Sequence, residues 1–237
     1  MVTGGSRGIG RAIVQRLAAD GATVVFNFAR SIYQAAAVER MVAGAGGRAH
    51  AVQIDLATPG AAEELMTYAE QHLDGFDILV NNAALNYTPA VIADTSDEQY
   101  DAVMAVNAKS TFLTMRHAAR NMRDNGRIIN ISSLATTWHE AKGALYVASK
   151  GAIEQLTRTA ARELGGRGIT VNAICPGPTD TNLLRRHNSE AYLEQFLKQT
   201  PLGRLGQPTD IADVVALLAG HDSRWLTGQI IHVTGGL

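Results

Sequence analysis

The chain of 237 residues lacks several features that define other classes of protein. It has one cysteine, Cys175, so a disulfide framework cannot form within the chain, and a lone thiol suits a reducing compartment. No apolar run approaches the roughly 20 residues that span a bilayer, and no signal-peptide pattern is visible. The net charge of -1, with no basic run, argues against a nucleic-acid surface. We expect a soluble, cytoplasmic protein that binds neither membrane nor nucleic acid.

Short apolar runs alternate with longer amphipathic stretches along the whole chain. Strands buried on both faces, as in a parallel sheet, are predicted at 22–28, 49–54, 78–80, 127–131, 169–174 and 229–233. Helices are predicted at 10–20, 35–43, 60–73, 97–122, 145–164 and 209–219, the last with Thr209 as its N-cap. The alternation predicts an α/β fold, a Rossmann-type doubly wound parallel sheet of about seven strands with helices on both faces.

The domain organisation predicted from this pattern is simple. The chain has no internal repeat, low-complexity tract or linker, so residues 1–237 are expected to form one domain. The segment 178–207 is long and has no predicted strand, which is typical of a lid over a substrate site.

A glycine-rich segment, residues 3–10, opens the first helix. Gly4, Gly8 and Gly10 give the spacing G-x-x-x-G-x-G, which differs from the G-x-G-x-x-G dinucleotide fingerprint. The physics is shared, because glycine permits a tight turn and lets a pyrophosphate approach backbone N–H groups at a helix N-terminus. The alternative is an ordinary strand–helix turn, which rarely needs three glycines.

The end of the predicted strand 22–28 bears on the choice between NAD and NADP. An NAD enzyme usually has Asp or Glu there, which binds the ribose 2′-OH. Here Arg30 and Ser31 follow the strand, no acid is present, and Arg7 lies in the glycine loop. Because a guanidinium and a hydroxyl suit a 2′-phosphate, the expected cofactor is NADP(H). The alternative is that Arg30 is a solvated surface charge.

Tyr146 and Lys150 form a Tyr-x-x-x-Lys pair on a predicted helix, where positions i and i+4 share one face. A tyrosine of pKa about 10 is a poor base at neutral pH, and a nearby ammonium favours its phenolate. Such pairs also arise by chance on helix surfaces. Ser133 strengthens the interpretation, because it follows the strand 127–131 at the edge of the sheet where ligands bind.

Taken together, these motifs resemble the single-domain branch of the short-chain dehydrogenase/reductase family. The matching residues, which run in the family's order over essentially the full length, are residues 3–10, Asp55, Asn81, Asn82, Ala83, Asn107, Ser133, Tyr146, Lys150, Pro176, Gly177 and Thr181. One departure is Ala84, where the family usually has glycine after Asn-Asn-Ala.

The resemblance implies a role for each of these residues. Ser133 would polarise the substrate oxygen, Tyr146 would exchange the proton, and Lys150 would bind the nicotinamide ribose and lower the tyrosine pKa. Asn107 would anchor a water that relays protons from Lys150. The implied cofactor contacts are Gly4, Ser6, Arg7, Gly8, Ile9, Gly10, Arg30, Ser31, Asp55, Leu56, Asn81, Ala83, Tyr146, Lys150, Pro176, Gly177 and Thr181. No metal is expected, since no His/Cys/Asp cluster has ligand spacing.

The predicted substrate pocket contains Leu85, Leu134, Trp138, His139 and Tyr192. For the aromatic members, packing in a core or interface is an equally good interpretation. A loop histidine such as His139 is more often a pocket wall than a base. We interpret Cys175 as a small hydrophobic residue that packs.

The substrate is the least determined feature. The chain is most similar to β-ketoacyl-carrier-protein reductase-like and naphthol reductase-like members. The two basic positions at which carrier-protein reductases dock their acidic carrier fall on Arg167 and Asp124, and the acid disfavours a carrier. We expect reduction of a free ketone, with oxidation of a sugar or steroid alcohol, 3-oxoacyl-carrier reduction and a non-catalytic NADP(H) sensor or scaffold as alternatives.

Self-association is also expected. The predicted helices 97–122 and 145–164 carry apolar residues beyond one face, which suggests contacts with a partner. Members of the family that the chain resembles usually form tetramers of two-fold symmetry by pairing these helices. A homotetramer or homodimer is therefore the expected assembly.

Overall fold

The computed structural model describes residues 1–85, 89–139, 141–187 and 189–237, with the side chains of Arg186, His187 and Tyr192 outside that description. Its strands are β1 (Thr23–Phe28), β2 (Arg48–Gln53), β3 (Ile78–Asn81), β4 (Arg127–Ile131), β5 (Thr170–Pro176) and β6 (Ile230–Val233). Its α-helices are α1 (Gly8–Ala19), α2 (Ile32–Gly44), α3 (Ala61–His72), α4 (Asp97–Met104), α5 (Ser110–Asn121), α6 (Ala144–Leu164), α7 (Asn182–His187), α8 (Glu190–Gln199) and α9 (Pro208–Ala219).

The strands form one parallel arrangement in the order β2-β1, then the N-terminal segment, then β3-β4-β5-β6. Val2 joins the two halves by bridging to Phe26 on one side and Val80 on the other. Its N–H donates to the carbonyl of Val25 at 2.9 Å. With this short segment counted, the described chain has seven parallel strands, which confirms the predicted Rossmann-type sheet.

Helices cover both faces of the sheet because neighbouring residues of each buried strand point in opposite directions. Phe26 packs in a core beneath α1, α2 and α9, while its neighbour Val25 packs in a second core beneath α3, α5 and α6. All residues of β4 and β5 are buried, as expected for strands at the centre of such a sheet. Full burial of one such large apolar side chain contributes about 1.5–3 kcal/mol.

Two local features differ from the predictions, and a third adds detail to them. The helix predicted over 97–122 is divided into α4 and α5 by a π-helix, Ala105–Lys109. Thr209 is not an N-cap, because α9 begins at Pro208 and its capping box pairs Gln207 with Asp210. Proline suits the first helical position, where its missing N–H has no intrahelical partner. The strand-free segment 178–207 contains two helices, α7 and α8.

Within the described ranges, every helix is too short or too polar to cross a membrane.

Candidate active site

The predicted site residues collect at one edge of the sheet, because the carboxyl ends of parallel strands lie together. The glycine loop follows the N-terminal segment, and Arg30 follows β1. Ser133 follows β4, and Gly177 follows β5. Residues that are far apart in the sequence therefore lie next to one another along this edge of the sheet. Asp55 and Leu56 after β2, and Ala83 after β3, lie on the same edge.

The glycine loop has a backbone conformation that lets a ligand approach its N–H groups closely. Gly4 and Gly8 adopt positive φ values of 69° and 54°, a region that side chains disfavour. A Cβ atom on Gly10 would lie 2.2 Å from the Gly4 carbonyl oxygen, so no side chain fits there. Helix α1 begins at Gly8, with no acidic residue in its first turn and no side-chain cap. Its N–H groups and the positive end of its dipole therefore suit an anion.

Three polar side chains hold this loop in place. The Asn27 carboxamide accepts a hydrogen bond from the Gly4 N–H at 2.9 Å and donates to the Ile54 carbonyl at 2.8 Å. The Thr3 hydroxyl accepts from the N–H groups of Asn82 and Ala83, at 2.8 and 2.9 Å. The Asn82 amide in turn donates to the Thr3 carbonyl at 2.9 Å. The roles of Asn27 and Thr3 in holding the loop cannot be predicted from the sequence, where each is only a polar residue beside apolar ones.

The basic groups expected at a 2′-phosphate lie at the surface. Arg7 and Arg30 are both exposed, at the starts of α1 and α2 respectively, and Ser31 lies at the N-cap position of α2 without a side-chain capping hydrogen bond. Asp55 forms the turn after β2, where its carboxylate accepts from the Ala57 N–H at 3.0 Å, and Leu56 is buried. These positions leave the two guanidinium groups accessible to a ligand.

Tyr146 and Lys150 lie in the first two turns of α6, with the Lys150 Nζ 5.7 Å from the centre of the Tyr146 ring. The ammonium is 1% exposed and donates to the Ile131 carbonyl at 2.8 Å. Burial lowers the pKa of Lys150 to about 8. Burial raises the pKa of Tyr146, whereas a hydrogen bond with Ser133 acts in the opposite direction. The phenol of Tyr146, the ammonium of Lys150 and the hydroxyl of Ser133 thus lie close together.

Asn107 is fully buried in the π-helix, where the altered winding turns its carboxamide toward β3 and α6. The Asn107 Oδ1 accepts from the Leu85 N–H at 2.7 Å. Its Nδ2 donates to the Ser149 hydroxyl at 3.0 Å, and that hydroxyl donates to the Tyr146 carbonyl at 2.7 Å. The Asn107 side chain therefore ties α6 to the segment after β3. Ser149 was not singled out from the sequence, because its importance depends on this contact.

The side chain of Asn81 faces the interior of the protein. Its amide donates to the Asn130 Oδ1 at 2.9 Å, and its oxygen accepts from the Thr114 hydroxyl at 2.7 Å. Any contact between Asn81 and a cofactor would therefore involve its main chain.

The segment after β5 reaches the glycine loop. A Cβ on Gly8 would meet the Thr181 methyl group at 3.5 Å. Gly177 packs against β6, since its own Cβ would lie 2.9 Å from the Thr234 Cα. Thr181 therefore lies beside the glycine loop, and Gly177 lies beside the residue that follows β6.

The predicted pocket residues divide into exposed and buried groups. Leu85 and Trp138 are 38% and 39% exposed, respectively, and His139 is also exposed. Leu134 is buried in the turn after Ser133. The Tyr192 side chain lies outside the described residues. In the described part of the chain no group of three or more His, Cys, Asp or Glu side chains is arranged to hold a metal.

Comparisons with known proteins cover nearly the whole chain. Residues 4–237 match a family model described as enoyl-(acyl carrier protein) reductase. An uncharacterized oxidoreductase from Methylorubrum extorquens is 41% identical, with 100% of this chain and 96% of that protein covered. A 3-oxoacyl-(acyl-carrier-protein) reductase from Staphylococcus epidermidis is 38% identical, with 100% and 97% covered.

Solved structures show the same fold. A blue fluorescent protein from a metagenomic library, in complex with NADPH, is 39% identical with a TM-score of 0.93. LugOII, described as a promiscuous reductase that catalyses keto-reduction at C1 during lugdunomycin biosynthesis, is 40% identical with a TM-score of 0.92. In both comparisons 99% of this chain and 95% of the other chain are covered.

Proposed function

This chain is an oxidoreductase of the short-chain dehydrogenase/reductase family, and from that premise we propose that it reduces a free ketone to a secondary alcohol with NADPH. The observation that supports this most directly is the packing of Ser133, Tyr146 and Lys150 at one sheet edge, with Asn107 tied to the same helix. The alternatives that we retain are oxidation of a sugar or steroid alcohol and 3-oxoacyl-carrier reduction.

The residues of the chain divide the work of proton transfer. The Tyr146 phenol, kept protonated by burial, donates its proton to the substrate oxygen. Ser133 donates a hydrogen bond to the same oxygen and polarises the carbonyl. Lys150 supplies a buried positive charge beside the phenol, which stabilises the phenolate left after transfer. Oxidation of an alcohol would use the same groups in reverse.

The glycine cradle and the exposed guanidinium groups fit NADP(H). The backbone of residues 4–10 and the N-terminus of α1 would hold the pyrophosphate, and Arg7, Arg30 and Ser31 would hold the 2′-phosphate. Bound NADPH supplies the hydride for reduction. A structural relative in complex with NADPH supports this assignment.

The surface around Arg167 favours a free substrate over a carrier-bound one. The Arg167 Nε donates to the Asp124 carboxylate at 2.8 Å, and its Nη1 donates to the Ala119 carbonyl at 2.8 Å. Its remaining nitrogen donates to the Met122 carbonyl. Because an acid neutralises this guanidinium and two carbonyls accept its hydrogen bonds, its charge and its N–H groups are poorly placed to bind an acidic carrier. The keto-reduction attributed to LugOII supports a free ketone as substrate.

We further propose that residues 178–207 act as a lid and that the chain self-associates. Thr181, at the start of this segment, lies against the glycine loop, so the segment begins at the cofactor site. An apolar groove between α5 and α6, lined by Met104, Phe112 and Leu156, offers a surface for a second copy. Either a homodimer or a homotetramer is consistent with that groove.

The proposed reaction is tested by assaying a panel of free ketones, and a carrier-bound 3-oxoacyl substrate, with NADPH and NADH in parallel. We expect the wild type to reduce free ketones and to prefer NADPH. Tyr146→Phe is expected to lower kcat by about 10²- to 10⁴-fold, because it removes the proton donor. Tyr100→Phe, on the exposed face of α4, is the matched control. Unchanged activity in Tyr146→Phe would refute the mechanism, and a preference for NADH would refute the assignment of Arg30.

A further inference from the structure

A buried carboxylate that proton transfer does not use lies one turn beyond Lys150. Glu154 is on the sheet-facing side of α6 and only 8% exposed. Burial of a carboxylate is costly unless hydrogen bonds compensate for its lost hydration. Replacing buried ionic groups by apolar residues of similar volume is often neutral or stabilising. Stability alone therefore does not explain a buried acid at this position.

The hydrogen bonds of Glu154 join three elements of the site. Its Oε1 accepts from the Ser132 hydroxyl at 2.8 Å and from the Cys175 thiol at 3.4 Å. Ser132 is the residue after β4, and Cys175 is the second-to-last residue of β5, before Pro176. One carboxylate oxygen on α6 thus holds the ends of two neighbouring strands. Those ends are also joined directly, since the Ser132 N–H donates to the Ile174 carbonyl at 2.7 Å.

Each residue that Glu154 contacts is next in the sequence to a residue of the proposed site. Ser132 precedes Ser133, which binds the substrate oxygen. Cys175 precedes Pro176-Gly177, which leads to the predicted cofactor contact Thr181. Glu154 itself is four residues after Lys150, on the same face of α6. A shift at Glu154 would therefore move the substrate-binding serine relative to Tyr146.

Cys175 on β5 is a titratable group in contact with Glu154, while Lys150 and Tyr146 lie one and two turns earlier on the same helix. Burial and the neighbouring carboxylate raise the pKa of Cys175 to about 11, so the thiol keeps its proton and can donate to Glu154. Glu154 therefore contacts the ends of the strands and not the reacting groups themselves.

We propose that Glu154 is a positioning residue of the reaction: by holding Ser132 and Cys175, it fixes the ends of β4 and β5 against the part of α6 that carries Tyr146 and Lys150. This inference rests on the proposed ketone reduction. It goes beyond the motif residues, because Glu154 acts through Ser132 and Cys175 and touches neither substrate nor cofactor.

Two substitutions separate positioning from stability. Glu154→Gln keeps the shape and removes the charge, while Glu154→Met also removes the acceptor. We expect kcat for ketone reduction to fall about tenfold in Glu154→Met, since small displacements of reacting groups are costly. The loss should be smaller in Glu154→Gln, because its amide oxygen can still accept the two hydrogen bonds. The Kd for NADPH, measured by fluorescence titration, is expected to stay within about twofold, because the cofactor contacts are retained. The Tm of Glu154→Met is expected to equal or exceed that of the wild type.

The pH profile of kcat/KM provides an independent readout. The hydrogen bond with Ser133 lowers the pKa of Tyr146, so displacement of Ser133 in Glu154→Met should move the profile to higher pH. Glu163→Gln, an exposed acid on the same helix, is the matched control and should leave kcat and the profile unchanged. Glu154 variants as active as Glu163→Gln, or losses of activity that follow equal losses of stability, would overturn the inference alone. An inactive wild type would refute the proposed function and this inference with it.

Discussion

At the scale of single residues, burial of Lys150 at the proposed site lowers the stability of the protein. Its ammonium is buried, with a carbonyl oxygen as hydrogen-bond partner, and its pKa is lowered to about 8. Below that pH the folded protein carries a charge that burial disfavours. Between about pH 8 and the ordinary lysine value of 10.5, the unfolded chain binds more protons than the folded one. The contribution of this group to wild-type stability therefore rises with pH across that window.

Lys150→Met is expected to raise the free energy of unfolding at pH 7, by at most about 3 kcal/mol, because it removes a buried charge. The advantage over the wild type should shrink as the pH rises from 8 to 10.5, and ketone reduction should be lost. Urea denaturation at pH 7 and pH 10 measures the difference in the free energy of unfolding at each pH, and the NADPH assay measures ketone reduction. Lys198→Met, at an exposed position on α8, should show neither effect. A variant less stable than the wild type at pH 7 would contradict this account.

At the scale of elements, the start of α1 depends on a contact that helix propensity does not reveal. Within a helix, replacing glycine by alanine usually stabilises by up to about 1 kcal/mol. At Gly10 the added Cβ would lie 2.2 Å from the Gly4 carbonyl oxygen and 2.5 Å from the Asn82 amide nitrogen. The clash with a backbone atom outweighs the propensity, because the loop must move to relieve it.

We therefore expect Gly10→Ala to lower the Tm and to weaken NADPH binding by at least about tenfold, a loss of about 1.4 kcal/mol. Thermal denaturation and fluorescence titration provide the two measurements. Gly151→Ala is the matched control, since that position is also helical and a Cβ there meets no atom within 4 Å. It should stabilise the protein slightly. Equal NADPH affinity in the two variants would show that the loop tolerates the side chain.

At the scale of the whole molecule, the groove between α5 and α6 leaves apolar surface uncovered. Phe112 is 46% exposed there, beside Met104, Ala108 and Leu156. Clustered apolar surface of this kind on a folded protein commonly marks an interface. A two-fold axis through the groove would bring the same helices of two copies together.

Phe112→Glu is expected to shift the protein to a smaller assembly, because two introduced carboxylates would face each other across the axis. Light scattering coupled to gel filtration measures the mass at several concentrations. Tyr33→Glu, at a position 87% exposed on α2, should leave the mass unchanged. A wild type that is monomeric throughout would rule out this interface.

The sequence by itself determined the α/β class, the parallel sheet and the family. Apolar runs and helical stretches alternate too regularly for another fold, and Gly4, Ser133 and Tyr146 follow the family's order and spacing. These are local signals, since each depends on residues a few positions apart. NADP(H) could be inferred in the same way, from the absence of an acid after β1.

Only the tertiary structure decided how distant residues meet. The π-helix that turns Asn107 toward Leu85 and Ser149 has no local pattern that separates it from one long helix. The same holds for Asn27 on the glycine loop, for Arg167 neutralised by Asp124, and for Glu154 between two strand ends. Each contact joins residues at least 20 positions apart. Polar groups buried between packed elements take the partners that the fold brings to them, and no local spacing records which partners those are.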